Sequence, residues 1–494
     1  MNFINNGKQY PVFSRQQIQD LESSVIEQHG FKSYDLMQRA GKAAFMFIRK
    51  HYPDAKRILI ITGGGNNAGD GYILARLLHN AEMECYTMPV VPITKLRGDA
   101  MRAQNDYAIH HGPDIDYSED LPECDLIVDA IFGIGLSRPV ENEYADMVNA
   151  INRTPVPVLS LDLPSGLSAE TGMPMGPAVH ANNTLTFIGL KSGLITGEAR
   201  NYSGKVEVDS LALPDEIIAQ AEKLGMSLSE TMPARLLPAR TQTGYKNLYG
   251  HVLVIGGNIG YPNAARLAGE AAARCGAGLV SVACHPDNVA AIASGCGSLM
   301  VKAIHEPRDL GELINKAEVI LMGPGLGQDK WAQKVFARAI ETQKSLVIDA
   351  DALRLLSHNP SKCDHWILTP HPGEAAQLLA CNTEEIQSNR ISSALAIQEQ
   401  YLGIAVLKGA GTLTCHDQRI GFCTNGNVSL ATGGSGDVLA GMIASLVAQG
   451  ISLNDAADCG VMLHGLAAEL VSKQGTRGVL AQDLFPAIYK LVNQ

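Results

Sequence analysis

The chain has 494 residues, with 39 Lys plus Arg against 50 Asp plus Glu and a net charge of −11. At roughly 100–200 residues per domain, two or three domains are expected, and so acidic a chain, without a basic run, is ill suited to nucleic acid or an anionic membrane surface. Hydrophobic residues at 46% and charged residues at 18% exclude a disordered chain, and the 49 glycines exceed the ~7% average and fall in clusters.

In chain order, apolar runs of strand length alternate with helical periodicity, the pattern of α/β folds. Ser14 is placed to cap a helix over QQIQDLESSVIEQHG, and DLMQRAGKAAFMFIRKHY repeats its apolar face at helical spacing. Strands are expected at RILIIT (57–62), ECYTMPV (84–90), DLIVDAIF (125–132), PVPVLSLD (155–162), NTLTFI (183–188) and KVEVDS (205–210), with helices near 69–80, 97–111 and 141–152. The polar, proline-punctuated stretch 213–240 breaks the pattern and contains no clear strand, which sets domains at 1–213 and 236–494 joined by a linker at 214–235. Further strands then read as HVLVIGG, GLVSVAC, VILMGPGLG, SLVIDADAL, WILTPHPGE and IAVLKGAGT, and helices run from Gly436 to the end. The ten cysteines form no C-x-x-C pair, as befits reduced core residues rather than a disulfide framework or zinc site. The opening MNFINNGKQYPVFS lacks the apolar core of a secretory signal, and no apolar run approaches ~18 residues, so a cytoplasmic protein with no membrane partner is expected.

Chemistry concentrates where strands end. In RILIITGGGNNAGDGYILARLL a strand, a three-glycine turn and a helix start carry Asn66, Asn67 and Asp70, without the spacing of a dinucleotide fingerprint. Three polar residues exceed what a glycine turn with an Asn cap needs, though such a turn is the plain reading. VDAIFGIGLSRPV places Asp129 before Gly133 and Gly135, and LSLDLPSG places Asp162 and Ser165 at the next strand end. Such oxygens converging on one crevice suit a hard cation or proton transfer. Lys191 is read either as a charge for that crevice or, taken alone, as a solvated surface lysine.

In the second half, ATGGSGDVLAG puts Gly433, Gly434 and Gly436 before a long helix and Asp437 in its first turn. Bare amides there can neutralise a transferring phosphoryl group, and a carboxylate can accept the proton of the attacked hydroxyl. A capped helix with Asp437 favouring its dipole is the bland alternative. KGAGT offers Lys408 to phosphates, TPHPGE places His371 and Glu374 at the same edge, and Asp349 and Asp351 read as magnesium ligands or helix caps. His371 is evenly balanced between a structural and a ligand-contacting role.

These blocks also carry a resemblance. GGGNNAGDGYILAR, VDAIFGIGLSRP and LDLPSG, in order over residues 10–213, resemble the signatures of the NAD(P)H-hydrate epimerase family (the YjeF N-terminal domain), which has a Rossmann-like fold and interconverts the R and S hydrates of NADH and NADPH. The resemblance implies a hydrate site of Asn66, Asn67, Ala68, Gly69, Asp70, Gly133, Ile134, Gly135, Leu136, Ser137, Arg138, Pro139 and Asp162, and a potassium ion held by Asn67, Asp129 and Ser165. Asp129 and Asp162 are the carboxylates expected to act as acid and base, in an order left open. Ala68 stands where the family usually has glycine.

GEAAARCGAGLVSV, MGPGLG, DADAL, TPHPGE, KGAGT and NGN with ATGGSGDVLAG, in order over about 250–485, resemble the ribokinase-like ADP/ATP-dependent NAD(P)H-hydrate dehydratases. That resemblance implies nucleotide contacts from Lys408, Gly409, Ala410, Gly411, Thr412 and Gly436, hydrate contacts from Ala265, Gly327, His371 and Asp437, Asp437 as catalytic base, Mg2+, and ADP or ATP as phosphoryl donor. YKNLYGHVLVIGG, without the Lys-Gly expected before its strand, and Asn263, where glycine is usual, depart from the pattern. The expected fold class is α/β, an N-terminal Rossmann-like parallel sheet and a C-terminal ribokinase-like domain. The expected function is two-step repair of hydrated coenzyme by a homo-oligomer whose partners are small molecules alone. The rival is a ribokinase-like small-molecule kinase with a non-catalytic N-terminal binding module.

Overall fold

The computed structural model describes residues 8–111, 114–237 and 239–493. The chain separates into two compact units, Met1–Met226 and Ser227–Gln494.

In the first unit, β1 (Arg57–Thr62), β2 (Glu84–Pro89), β3 (Leu126–Ala130), β4 (Val158–Leu161), β5 (Asn183–Phe187) and β6 (Lys205–Asp209) form a parallel sheet in the order 2-1-3-4-5-6. Alternate residues of β1 serve opposite faces: Ile58 and Ile60 join the core under the helices Ser33–His51 and Asn66–Asn80, while Leu59 and Ile61 join Met147, Val148 and Ile151 of the helix Asn142–Arg153. Burial on both faces is why this strand reads as an unbroken apolar run. The helix Arg15–His29 opens with a reciprocal cap, in which Ser14 Oγ accepts from Gln17 N at 3.1 Å and Gln17 Oε1 accepts from Ser14 N at 3.0 Å. A cap of this kind contributes about 1 kcal/mol and fixes the start of the helix. Before it, Pro11–Phe13 pairs in parallel with Leu190–Lys191, aligning Phe13 with Lys191.

In the second unit, β7 (His251–Ile255), β8 (Leu279–Cys284), β9 (Met300–Ala303), β10 (Val319–Met322), β11 (Ser345–Ile348), β12 (Trp366–Leu368), β13 (Ile404–Leu407), β14 (Leu413–His416) and β15 (Arg419–Phe422) run in the order 9-8-7-10-11-12-13-14-15. Pairing is parallel up to β13 and antiparallel for the last two. The apolar helices Ser435–Ala448 and Leu453–Val471 pack with Pro262–Arg274 over one face, around Val254, Leu321 and Val347.

Strands β9, β14 and β15 are additions to the sequence-based expectation, being short and only partly apolar. The stretch expected to contain no clear strand holds the short strand Gly225–Ser227, along with the helices Asp215–Gln220 and Met232–Leu236, each shorter than a periodicity window resolves. All ten cysteines are free thiols, seven of them buried. Among the described residues no helix is long and apolar enough to cross a membrane.

Candidate active sites

The order 2-1-3-4 sets the carboxyl ends of β1, β3 and β4 side by side, so the loops leaving them share one crevice. A cavity of about 670 Å³ lies there, lined by Asn66, Asn67 and Asp70, by Gly133, Ile134, Gly135, Leu136 and Arg138, and by Asp162. Other expected site residues stand back from it. Ala68 and Gly69 face the helix packing, where a Cβ on Gly69 would fall 2.5 Å from Met37 Sδ, and Ser137 and Pro139 are exposed beside the cavity rather than lining it.

Asp129 and Ser165 are fully buried below the floor. Asp129 Oδ2 accepts from Ser160 Oγ and Ser165 N, both at 2.8 Å, and Oδ1 from Ser165 Oγ at 2.5 Å and Ile131 N at 3.3 Å. Burial pushes its carboxyl above the usual range against the pull of these donors. The carboxylate thus ties the ends of β3 and β4 together.

Asp162 sits at φ 66° in the left-handed region, costly for a non-glycine residue, directly after β4. Its Oδ2 accepts from Ile134 N at 3.3 Å, and its Oδ1 receives Lys191 Nζ at 2.5 Å. Lys191 is 1% exposed and also donates to Thr186 Oγ1 and the Phe187 carbonyl, at 3.0 and 2.7 Å, which corrects the surface-lysine reading. Asn67 donates from Nδ2 to the Leu161 carbonyl at 3.2 Å, while its buried Oδ1 has no hydrogen-bond partner among the described residues. An orphaned amide oxygen beside an all-oxygen donor set fits a hard monovalent cation. Two carboxyls in the cavity are displaced upward: Asp70 well above the usual range, and Glu22 to about 7, chiefly by burial.

In the second unit the functional groups meet at the carboxyl ends of β11, β12 and β13. Lys408, just past β13, places Nζ 2.7 Å from Asp349 Oδ1 and 3.7 Å from Glu374 Oε2. Asp349 also accepts from Thr369 Oγ1 at 2.8 Å, so its side chain serves the site rather than capping the helix it precedes. Burial alone would lower Lys408; Asp349 and Glu374 outweigh it and hold the ammonium above its usual value. His371 and Glu374 form a reciprocal cap: His371 Nδ1 accepts from Gly373 N at 2.9 Å, and Glu374 Oε2 from His371 N at 2.7 Å. His371 is therefore structural through Nδ1 and exposed beyond it. Asp351 Oδ2 accepts from Gly327 N at 2.8 Å, fixing that glycine loop.

Gly434, at φ 90°, turns the chain into the helix Ser435–Ala448, with Asp437 in the first turn. Burial, reinforced by Asp349, pushes Asp437 up to about 8 despite Lys408. The KGAGT turn is held from beneath by buried Arg390, whose guanidinium donates to the carbonyls of Leu407, Lys408 and Gly411 at 3.2, 3.2 and 3.4 Å. Gly409 and Ala410 remain exposed, and Thr412 Oγ1 closes the turn onto Gly409 O at 3.1 Å. Gly436 packs against Lys408. Ala265, expected to contact the hydrate, is wholly buried against the turn at Gly256 and Gly257, because its helix face points into the core.

Two family models match the chain: YjeF-related protein N-terminus over residues 33–193 and NAD(P)H-hydrate dehydratase over residues 252–490. A relative from Coxiella burnetii, named bifunctional NAD(P)H-hydrate repair enzyme Nnr, is 41% identical, covering 98% of this chain and 99% of its own. A relative of the same name from Escherichia coli is 40% identical, with 96% and 92% covered. The chain belongs to the bifunctional NAD(P)H-hydrate repair enzyme family. A solved ribokinase-like superfamily protein from Enterococcus faecalis, 30% identical, matches with a TM-score of 0.50 and covers 54% of this chain and 95% of its own, in accord with a ribokinase-like second unit. The rival of a lone kinase with an idle N-terminal module gives way, since relatives spanning nearly the whole chain carry the bifunctional name.

Within this repair-enzyme framework, several residues at the sites lie outside any motif. Glu22, Lys95, Arg97 and Tyr144 line the first cavity from elements other than the strand-end loops. His464, 7% exposed on the helix Leu453–Val471, lies by the Ser435 backbone, and burial with Lys408 nearby lowers it to about 4. A neutral imidazole therefore supports the glycine-rich helix start. Only the helical spacing of polar residues on otherwise apolar faces signals Glu22 and His464. Elsewhere, consecutive Cys363, Asp364 and His365 bring a thiol, a carboxylate and an imidazole within 4.8 Å, a grouping outside the usual metal-ligand spacings.

Proposed function

We propose that this chain returns hydrated NADH and NADPH to the working coenzymes in two steps. The first site equilibrates the R and S epimers at C6; the second acts on the S form with ADP or ATP. There, Asp437 takes the proton of the C6 hydroxyl as its oxygen attacks the terminal phosphoryl group of the nucleotide. Amides of the turn at 433–436 and the Lys408 ammonium offset charge on the transferring group. Phosphate then leaves C6 with the ring nitrogen's lone pair assisting, loss of the C5 proton restores the double bond, and AMP or ADP is the remaining product. Arg390 and His464 are positioning residues for the nucleotide turn and the helix start.

In the first site Asp162 and the loop amides at 133–136 would face the hydrate, with Asp129 organising the floor. Potassium would be held by Asn67, Asp129 and Ser165, supplying fixed positive charge; the orphaned Asn67 oxygen supports this. Magnesium would be held among Asp349, Asp351 and Glu374, neutralising phosphate charge. Three carboxylates round one lysine, Asp349, Glu374 and Asp437, with Asp351 near Asp437 and both Asp437 and Glu374 displaced upward, make a cation welcome there. The domain limits are proposed as 1–213 and 236–494, the assembly as a homo-oligomer and the location as cytoplasmic.

The observation that carries this reading is Asp437 standing over an amide-rich helix start beside Lys408. The test is incubation of mixed R,S hydrate with ADP or ATP, following reduced-nicotinamide absorbance and inorganic phosphate together. One phosphate per coenzyme recovered, with both epimers consumed, is the expected result. A stable phosphorylated product without recovered absorbance would indicate a simple kinase instead.

A further inference from the structure

We propose that Glu22 is the proton donor of the first site: its carboxylic acid protonates the departing C6 hydroxyl, and its carboxylate recovers the proton when water returns to the opposite face. This rests on the epimerase reading above and adds a residue outside every strand-end loop.

The placement is geometric. Gln19, Glu22 and Ile26 share one face of the helix Arg15–His29 and all line the cavity. The reciprocal cap at Ser14 and the buried face of Ile18, Leu21 and Val25 lock that helix in position. Three carboxyls, from Glu22, Asp70 and Asp162, line the cavity, and the buried Lys191, which is not part of that lining, is bonded to Asp162. Among the described residues Glu22 and Asp70 have no ion pair. The cations lining it, Lys95, Arg97 and Arg138, are exposed to solvent and correspondingly screened. Crowded and desolvated acids of this kind keep protons at neutral pH. Glu22 lies at about 7, where burial and Asp162 raise it and Lys191 opposes them. A carboxyl there can both give and take a proton near neutrality.

The step balances. The Glu22 proton bonds to the hydroxyl oxygen, the C6–O bond breaks with its electron pair leaving on water, and the N1 lone pair forms a C6=N1 double bond. Water then attacks C6 from the other face, its surplus proton is relayed through solvent in the open cavity to the Glu22 carboxylate, and the pair returns to N1. Only the configuration at C6 has changed.

The test compares full-length wild type, Glu22→Gln and Glu22→Asp on R hydrate without nucleotide, following the appearance of S hydrate by chromatographic separation of the epimers. Glu22→Gln should lower kcat for epimerisation by about 100-fold or more, the usual size of a lost proton donor, with KM little changed. Wild-type activity should fall on the alkaline side with an apparent value near 7, a limb absent from Glu22→Gln and partly restored in Glu22→Asp. Glu22→Gln within a few-fold of wild type, a rise in KM alone, or an unchanged alkaline limb overturns the proposal. If wild type itself leaves the epimer ratio at its spontaneous rate, the epimerase reading fails, a result distinct from failure of Glu22.

Discussion

Lys408 and Gly436 touch so closely that a methyl group at position 436 would lie 3.2 Å from the lysine Nζ. A side chain at 436 would thus push on the ammonium by a few tenths of an ångström, against Asp349, which holds it from the other side at 2.7 Å. Gly436 is helical, so alanine there is conformationally favourable and contributes up to about 1 kcal/mol to the helix. Gly436→Ala should therefore leave thermal stability equal or higher while displacing Lys408 from the phosphate position. We expect nucleotide KM to rise about 10-fold, as for ~1.4 kcal/mol of lost binding. Unfolding scans beside nucleotide titrations of the dehydration rate check both halves.

The pH response of the second site follows from Asp437. The free enzyme must lose a proton held to about 8 before this carboxylate can serve as base. Dehydration kcat/KM at low substrate should therefore climb from mildly acid pH and level off above about 8, and a flat profile contradicts the assignment. Linkage has the opposite sense for stability. Folded protein holds a proton that the unfolded chain releases near ~4, so this group makes stability fall as pH rises from there to about 8. Asp437→Asn should flatten that part of the stability curve in denaturant titrations.

Lys191 is a buried cation whose loss strands Asp162. Lys191→Met should destabilise the first unit by about 3–5 kcal/mol, the range for breaking a buried pair, and abolish epimerisation while S hydrate is still dehydrated. Chemical denaturation with unit-specific proteolysis reads the first effect; epimer-resolved assays read the second.

Asp129→Ala removes the acceptor for four buried donors. Epimerisation should fall to the spontaneous background with the second activity retained. R-hydrate consumption at the wild-type rate would mean that the floor network is dispensable.

The contrast between Lys191 and Gly133 shows how far the sequence could be read. Strand ends such as those leading into Asn67 and Asp162 stand out because parallel sheets write them as apolar runs breaking into glycine and acid, and Asp437 stands out because a run of glycines opens its helix. Lys191 read equally well as a surface lysine, since its burial depends on Pro11–Phe13 pairing with Leu190–Lys191 far away in the chain. Glu22 and His464 were signalled only faintly, by helical spacing, for the same reason: a polar residue on a helix declares its role only when its packing partner is known. Ala68, Gly69 and Ala265 were drawn to the sites by motif membership alone, and helix geometry turns their side-chain positions into the core.

The most direct measurement is epimer-resolved chromatography of R,S hydrate incubated with ADP or ATP and the Asp437→Asn variant. The account predicts that R and S hydrates still equilibrate at the wild-type rate while reduced coenzyme and phosphate fail to accumulate. Recovery of reduced coenzyme at near the wild-type rate by this variant would contradict it.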